Sequence, residues 1–157
     1  MAVTTEITVR YASYIDLIQA TPDERMERVR RGFQPAWLAQ LAHDLRVPDR
    51  DLALYLGLNR AMLRRRVVDE ERLSTQESEG LMAMASLAGK VIMACRHPSV
   101  ERAIVADPLA WLGRWLRTPV TTGADGRRAP IQYMDVAEGR AVVAAWLSAT
   151  LSPDRSP

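Results

Sequence analysis

The sequence has 157 residues, of which 48% are hydrophobic and 25% are charged, and its formal net charge is +2 at neutral pH. This composition is close to the globular average and excludes a wholly disordered chain. The single cysteine, Cys95, excludes an intramolecular disulfide and a multi-cysteine metal site. No signal peptide and no apolar stretch long enough to span a bilayer are evident, so we expect a soluble cytoplasmic protein.

The first 32 residues are predicted to form an N-terminal arm and a short helix, attached loosely to the rest. Thr4–Tyr11 alternates polar and apolar residues like a short strand with nothing to pair with, which indicates an extended arm or a dimer contact. Thr21, followed by Pro22 and two acidic residues, predicts a helix start. This helix is expected to end near Gly32.

Residues 33–73 are predicted to be helical with short connections. The first helix of this segment has an apolar face with i, i+3, i+4 spacing, formed by Trp37, Leu38, Leu41, Ala42 and Leu45. A second helix covers Asp49–Leu56 and ends at Gly57, as a left-handed C-cap would. Asn59 is expected to cap a third helix that ends near Val68.

Residues 74–157 are predicted to form a second helical unit with a polar C-terminal tail. Ser74 and Glu77 form a capping box at the start of a long apolar helix. Its inward stripe is predicted to be Leu81, Met84, Ala88, Val91 and Ile92. Ser99 and Asp107 are expected to start two further helices. The next two features are a loop over residues 121–130 and a second capping box at Asp135.

The helix that follows Asp135 is expected to turn four residues inward, namely Val142, Val143, Trp146 and Leu147. Runs of helices with short connections predict an all-α fold. We therefore divide the chain into an arm and short helix (1–32), a helix-turn-helix domain (33–73) and a C-terminal domain with its tail (74–157).

The segment between Arg46 and Arg66 has the pattern of a helix-turn-helix and a local net charge of +4. Ala53 allows close helix approach, Gly57 allows the turn, and Leu58 and Leu63 would hold the second helix against the first. That helix begins after Asn59, and the N-terminal part of such a helix is presented to base edges.

Five residues of this segment are the predicted DNA contacts: Asn59, Arg60, Arg64, Arg65 and Arg66. Arginine is suited to base contacts because it can bind guanine in a bidentate way, and Arg65 and Arg66 would bind flanking phosphates. The alternative interpretation is a plain helical hairpin with a solvated arginine face.

The order of motifs along the chain resembles the Xre/MbcA/ParS family of antitoxins. The matching segments are Leu63–Arg66, Leu73–Glu79, Trp115–Pro119, Pro130–Asp135 and Glu138–Gly139. The resemblance extends over residues 33–151. This sequence departs from the family pattern at Gly80, where an arginine is usual, in the longer loop at 120–126, and in the tail at 152–157.

The resemblance implies an Xre/Cro-like helix-turn-helix unit followed by a toxin-binding domain. A member of the family would bind a RES-domain toxin that depletes NAD⁺, cover its active site, and repress its own promoter by binding operator DNA as a homodimer. The predicted toxin contacts are Trp115, Arg117, Arg127, Arg128, Tyr133, Asp154 and Arg155. No cofactor, no metal and no catalytic function are expected.

Two other functions remain open on the sequence alone. A stand-alone helix-turn-helix regulator would have kept the domain without a toxin, and a helical adaptor would have no DNA function. Several residues also have a structural interpretation. Trp111, Trp115 and Trp146 lie on helix stripes and are expected in the core by default, although Trp115 occupies the family position and has the better claim to an interface. Cys95 is expected to be a buried small hydrophobe. His43 and His97 lack the neighbours of a metal site.

Overall fold

The computed structural model of the chain describes residues 11–121 and 127–152 and is predominantly helical there, which confirms the all-α prediction. The helices are α1 (Ala12–Gln19), α2 (Pro22–Arg31), α3 (Ala36–Leu45), α4 (Asp49–Tyr55), α5 (Arg60–Val68), α6 (Thr75–Ala94), α7 (Arg102–Ala106), α8 (Pro108–Arg117) and α9 (Ala137–Leu151). A two-residue antiparallel pair, β1 (Val120–Thr121) and β2 (Arg127–Arg128), and a 3₁₀ turn (Pro130–Tyr133) lie between α8 and α9.

The long helix α6 is the centre of the fold. It packs against α1, α2, α3, α8 and α9, and it is buried over most of its circumference. The predicted inward stripe is confirmed, since all five of its residues are at most 1% exposed. Two buried hydroxyls on α6 are hydrogen-bonded, as burial requires. Ser78 Oγ accepts from the backbone N–H of Phe33, and Ser86 Oγ donates to the carbonyl of Met82.

Helix α1 packs directly on α6, so the prediction of a loosely attached lead-in is wrong for residues 11–19. Tyr14, Ile15 and Leu17 are buried, and the Tyr14 hydroxyl donates to Asp44 of α3. The reason for the error is that α1 has no side-chain cap and derives its stability from burial against a distant segment. Thr4–Arg10 lies outside the described residues.

Helices α3, α4 and α5 begin and end close to where the sequence predicts. Each one ends at a residue in the left-handed region, namely Arg46, Gly57 and Glu70, with φ of 58°, 72° and 54°. Backbone hydrogen bonds of the Schellman type close each end, for example Leu58 N–H to Ala53 O at 2.8 Å. The three turns therefore share one backbone geometry.

Three predictions for the C-terminal half need correction. Helix α7 begins at Arg102, because the Ser99 hydroxyl is paired with His97 Nδ1 at 2.6 Å and does not cap a helix. Helix α9 has Val136 as its N-cap with no side-chain hydrogen bond, so the capping box at Asp135 is wrong. Val142 is 37% exposed, whereas Val143 and Leu147 are fully buried.

One continuous hydrophobic cluster extends from Tyr11 to Leu147 and includes residues on both sides of Ser74. Gly113 shows how closely its helices approach, since a Cβ there would lie 2.0 Å from the carbonyl oxygen of Leu45. Residues 33–73 are therefore joined to the C-terminal half through packed helices. None of the helices in residues 11–121 and 127–152 is long and apolar enough to cross a membrane.

Candidate nucleic-acid and partner interfaces

Helix α5 carries the predicted DNA contacts and is exposed along most of its surface. Asn59 is its N-cap, and Asn59 Oδ1 accepts from the backbone N–H of Met62 at 3.0 Å. No residue of α5 is fully buried, and Leu63 is only half-buried. Leu58, in contrast, is buried at 8% exposure. Of the two leucines predicted to hold α5, only Leu58 is therefore deeply packed.

The arginines of α5 fall into two groups. Arg60, Arg64 and Arg65 are exposed. Arg60 and Arg64 line a groove formed by α3, α4 and α5 that they share with Arg50 and Asp49. Arg65 has a distant partner, with Nε 3.9 Å from Asp69 Oδ2, and both side chains are largely solvated. Such an exposed pair contributes little, so Arg65 can exchange its partner at low cost.

Arg66 belongs to the second group because its side chain is only 18% exposed and is held by two carboxylates. Its buried Nε lies 2.8 Å from Glu77 Oε1, an ion pair in which the Nε–H is not aligned for a hydrogen bond, and its Nη1 lies 3.4 Å from Glu71 Oε2. Nη1 is also 3.5 Å from the carbonyl oxygen of Arg72. Arg66 therefore does not share the solvated environment of the other three arginines, which the sequence does not distinguish.

Trp115 and Arg117, two of the predicted toxin contacts, lie at the C-terminal part of α8. Trp115 is half-buried and stacks on Trp111, with ring centroids 6.4 Å apart and planes at 23°. Arg117 is exposed, and its Nε donates to the carbonyl of Gly113 one turn earlier. The stacked tryptophans and the basic end of α8 thus form a surface with both apolar and cationic character.

The other predicted toxin contacts are only partly within the described residues. Tyr133 is half-buried in the 3₁₀ turn, which packs against α8 and α9, and its ring meets Trp146 edge-on at 5.4 Å. Arg128 is exposed in β2. Arg127 is described through its backbone pairing with Thr121 alone. Asp154 and Arg155 lie outside the described residues.

Arg140 of α9 is bound to the segment that precedes its own helix and has no distinctive signal in the sequence. Its Nε donates to the carbonyl of Met134 at 2.8 Å, and its Nη2 donates to that of Asp135. A Cβ at Gly80 would lie 3.3 Å from the same guanidinium and 3.6 Å from the carbonyl of Leu56. The end of α4 is therefore close to the segment before α9.

Cys95 and the histidines have the surroundings of structural or solvated groups. Cys95 is 5% exposed, and burial raises the pKa of its thiol to about 11. His43 and His97 are both exposed. Among residues 11–121 and 127–152, no group of three or more His, Cys, Asp or Glu side chains could hold a metal ion.

A similarity to a known protein extends over most of the chain. The chain is 29% identical over 139 residues to a protein of Sphingobium sp. (strain YBL2) named "Prs ADP-ribosylating antitoxin". The chain is similar to an antitoxin. The alignment covers 87% of this chain and 83% of the relative, so it includes both the basic segment and the C-terminal half. No protein-family profile matches the chain. The similarity supports an antitoxin of a toxin–antitoxin system, and an antitoxin implies a toxin partner.

Proposed function

We propose that this chain neutralises a RES-domain toxin by covering its active site and represses its own promoter through α5. The observation that carries the proposal is the similarity to an antitoxin over 87% of the chain. The motif order described above supports the RES class of toxin. In this proposal the chain has no catalytic function of its own.

The chemistry in the relative's name is compatible with a toxin that uses NAD⁺. ADP-ribosylation transfers part of NAD⁺ to an acceptor, and a toxin that depletes NAD⁺ must bind the same molecule. A cleft for its pyrophosphate is electropositive. We propose that the tail enters this cleft with the carboxylate of Asp154 or of the C-terminus. Arg128 would then meet acidic residues at the rim and increase the association rate.

The toxin proposal is tested by co-expression with the adjacent gene, purification of the complex, and measurement of NAD⁺. A chain truncated after Leu151 should still form the complex but lose protection of NAD⁺. Full protection of NAD⁺ by the truncated chain would show that the helices inhibit the toxin without the tail. If the full chain fails to co-purify with the adjacent gene product, residues 74–157 do not bind it. The toxin proposal is then refuted and a stand-alone regulator is favoured.

The surface residues of the toxin interface can be tested with a matched pair. Arg128→Glu in β2 should slow association with the toxin, because it reverses a charge at the proposed rim. Arg30→Glu makes the same charge change on an exposed residue of α2, which is not among the predicted toxin contacts, and should leave the rate unchanged. Equal rates for the two variants would remove Arg128 from the interface.

The DNA proposal rests on the exposure of three arginines on a helix that buries none of its own residues. Arg60→Ala and Arg64→Ala are each expected to cost about 1–3 kcal/mol of operator binding and to relax specificity. Arg30→Ala removes the same charge from α2 and serves as the control. Wild-type affinity in the double Arg60/Arg64 variant would show that α5 is not the recognition helix.

A homodimer is part of the same proposal, since one short helix covers too few base pairs and paired half-sites lie about one helical turn apart. The exposed apolar side chains next to the basic surface support self-association: Leu54 is 72% exposed, Val67 61% and Val68 80%. Sedimentation analysis of the wild type and of Val68→Asp tests this, with a monomeric wild type as the contradicting result.

A further inference from the structure

Helix α5 makes few apolar contacts with the rest of the protein. It contributes no fully buried residue, and its packing against α4 is limited to a small contact around the half-buried Leu63. A helix of nine residues is marginal on its own, so its position must be maintained by other interactions. The N-cap at Asn59 stabilises its start. A second stabilising interaction lies at the C-terminal end of α5.

This interaction is the ion-pair cluster of Arg66 with Glu77 and Glu71. The side chains of Arg66 and Glu77 are 18% and 14% exposed, and their charged atoms are 2.8 Å apart. The neighbouring pair of Arg65 and Asp69 is 75% and 48% exposed, with atoms 3.9 Å apart. The Arg66 pair is therefore shielded from water and salt, whereas the Arg65 pair is not.

Glu77 is itself fixed on the central helix. Its Oε1 accepts from the backbone N–H of Ser74 at 2.7 Å, and its own N–H donates to Ser74 Oγ at 3.1 Å. The same carboxylate oxygen thus closes the capping box of α6 and faces the guanidinium of Arg66. Because α6 is the most buried helix of the fold, Arg66 connects a weakly packed helix to a rigid one.

The segment that connects α5 to α6 is also held by hydrogen bonds. Arg72 Nη1 donates to the carbonyl of Gly32 at 2.9 Å, and the N–H of Leu73 donates to the carbonyl of Phe33 at 2.8 Å. Arg66 completes this arrangement by reaching both Glu71 and the carbonyl of Arg72. Moving Arg66 to a phosphate would leave the shielded carboxylate of Glu77 without its cationic partner, which is costly.

We propose that Arg66 is a positioning residue that holds α5 in the orientation needed for nucleic-acid binding, and that it makes no phosphate contact itself. This inference rests on the proposed DNA-binding function of α5. It separates Arg66 from Arg65, although the two are adjacent in the sequence and carry the same charge. It also gives the capping box of α6 a second task, the placement of the neighbouring helix.

The test compares three variants by amide hydrogen exchange without DNA and by operator affinity at several salt concentrations. Arg66→Ala removes the cation. Glu77→Gln keeps an oxygen for the capping box but removes the charge that faces Arg66. Arg65→Ala removes an adjacent, solvated arginine. Protection of the α6 amides shows in each case that the core is still folded.

Arg66→Ala and Glu77→Gln should both speed exchange of the α5 amides about tenfold and weaken operator binding about fivefold to tenfold. Their salt slopes should equal that of the wild type. Arg65→Ala should leave α5 exchange unchanged and lower the salt slope by about one. Glu77→Gln is the decisive variant, because loss of a negative charge near DNA would otherwise strengthen binding.

Three results would overturn the inference. They are unchanged α5 exchange in both Arg66→Ala and Glu77→Gln, a salt slope lowered by Arg66→Ala, and tighter operator binding by Glu77→Gln. If the wild type binds no operator at all, the proposed DNA function fails, while the exchange measurements still show whether Arg66 and Glu77 hold α5.

Discussion

Gly89 lies where α1 crosses the central helix α6, and its replacement by alanine tests how closely the two helices approach. A Cβ at this position would lie 2.7 Å from the carbonyl oxygen of Tyr14 and 2.5 Å from Ile18 Cγ2. The first of these atoms belongs to the backbone and can move only if α1 moves. Alanine should therefore push α1 away from α6 and disturb the burial of Tyr14 and Leu17.

The magnitude follows from two opposing terms. Alanine in a helix interior is favoured over glycine by about 0.5–1 kcal/mol. Overpacking a well-packed site costs about 1–3 kcal/mol. Gly80→Ala, on the same helix, gains the first term, while its Cβ would meet only the flexible end of Arg140 at 3.3 Å and the Leu56 carbonyl at 3.6 Å. The comparison therefore isolates the steric term.

Urea unfolding of the two variants should show Gly89→Ala less stable than Gly80→Ala by about 1–3 kcal/mol, with similar m-values. Far-ultraviolet circular dichroism would confirm that both remain helical. Equal stabilities, or a more stable Gly89 variant, would refute the close approach of α1 to α6. Either result would also favour a loosely attached N-terminal segment.

Three further predictions concern stability and reactivity. Ser74→Ala should destabilise the protein by about 1 kcal/mol in urea unfolding, because it removes the N-cap of α6; loss of toxin neutralisation at unchanged stability would instead make Ser74 a contact residue. Glu70→Gly should stabilise it by up to about 1 kcal/mol, since φ at Glu70 is 54° and glycine adopts this region without strain; a destabilised variant would mean that the Glu70 side chain contributes a contact. The thiol pKa of about 11 for Cys95, against a reference of 9.0, predicts about a hundredfold lower thiolate fraction than in the unfolded chain at pH 8, and burial slows alkylation further. The same shift predicts that the free energy of unfolding falls between about pH 9 and pH 11, because the unfolded thiol ionises first; alkylation in native buffer as fast as in urea would contradict both statements.

Local signals in the sequence were sufficient for most helix boundaries. Thr21, Asn59, Ser74 and Asp107 are all N-caps in the structure, as predicted. A cap satisfies backbone groups within four residues of itself, so its outcome depends little on the rest of the chain. Ser99 and Asp135 are the exceptions, since the Ser99 hydroxyl pairs with His97 Nδ1 and caps no helix. The carbonyls before α9 bind Arg140, and the helix begins one residue later, at Ala137.

The candidate interfaces could be predicted only in part. The sequence shows that arginines cluster in α5 and that aromatic and basic residues lie near the C-terminal end of α8. It cannot show that Arg64 is solvated while Arg66 is paired with Glu77, because that difference depends on where α6 begins relative to α5. Arg140 was missed for a different reason: its partners are the backbone carbonyls of Met134 and Asp135, six and five residues earlier, and a backbone carbonyl leaves no signal in the residue types.

The sequence by itself determined the all-α class, the capped helix starts and the similarity to an antitoxin, because each depends on residue types at short or ordered spacings. Tertiary structure decided that α1 belongs to the core, that α6 is the central helix, and which arginines of α5 remain free. The physical reason is that burial and ion pairing depend on contacts between segments far apart in the chain. Tyr14 meets Asp44, and Arg25 donates to Ser86 across 61 residues, contacts that no local pattern encodes.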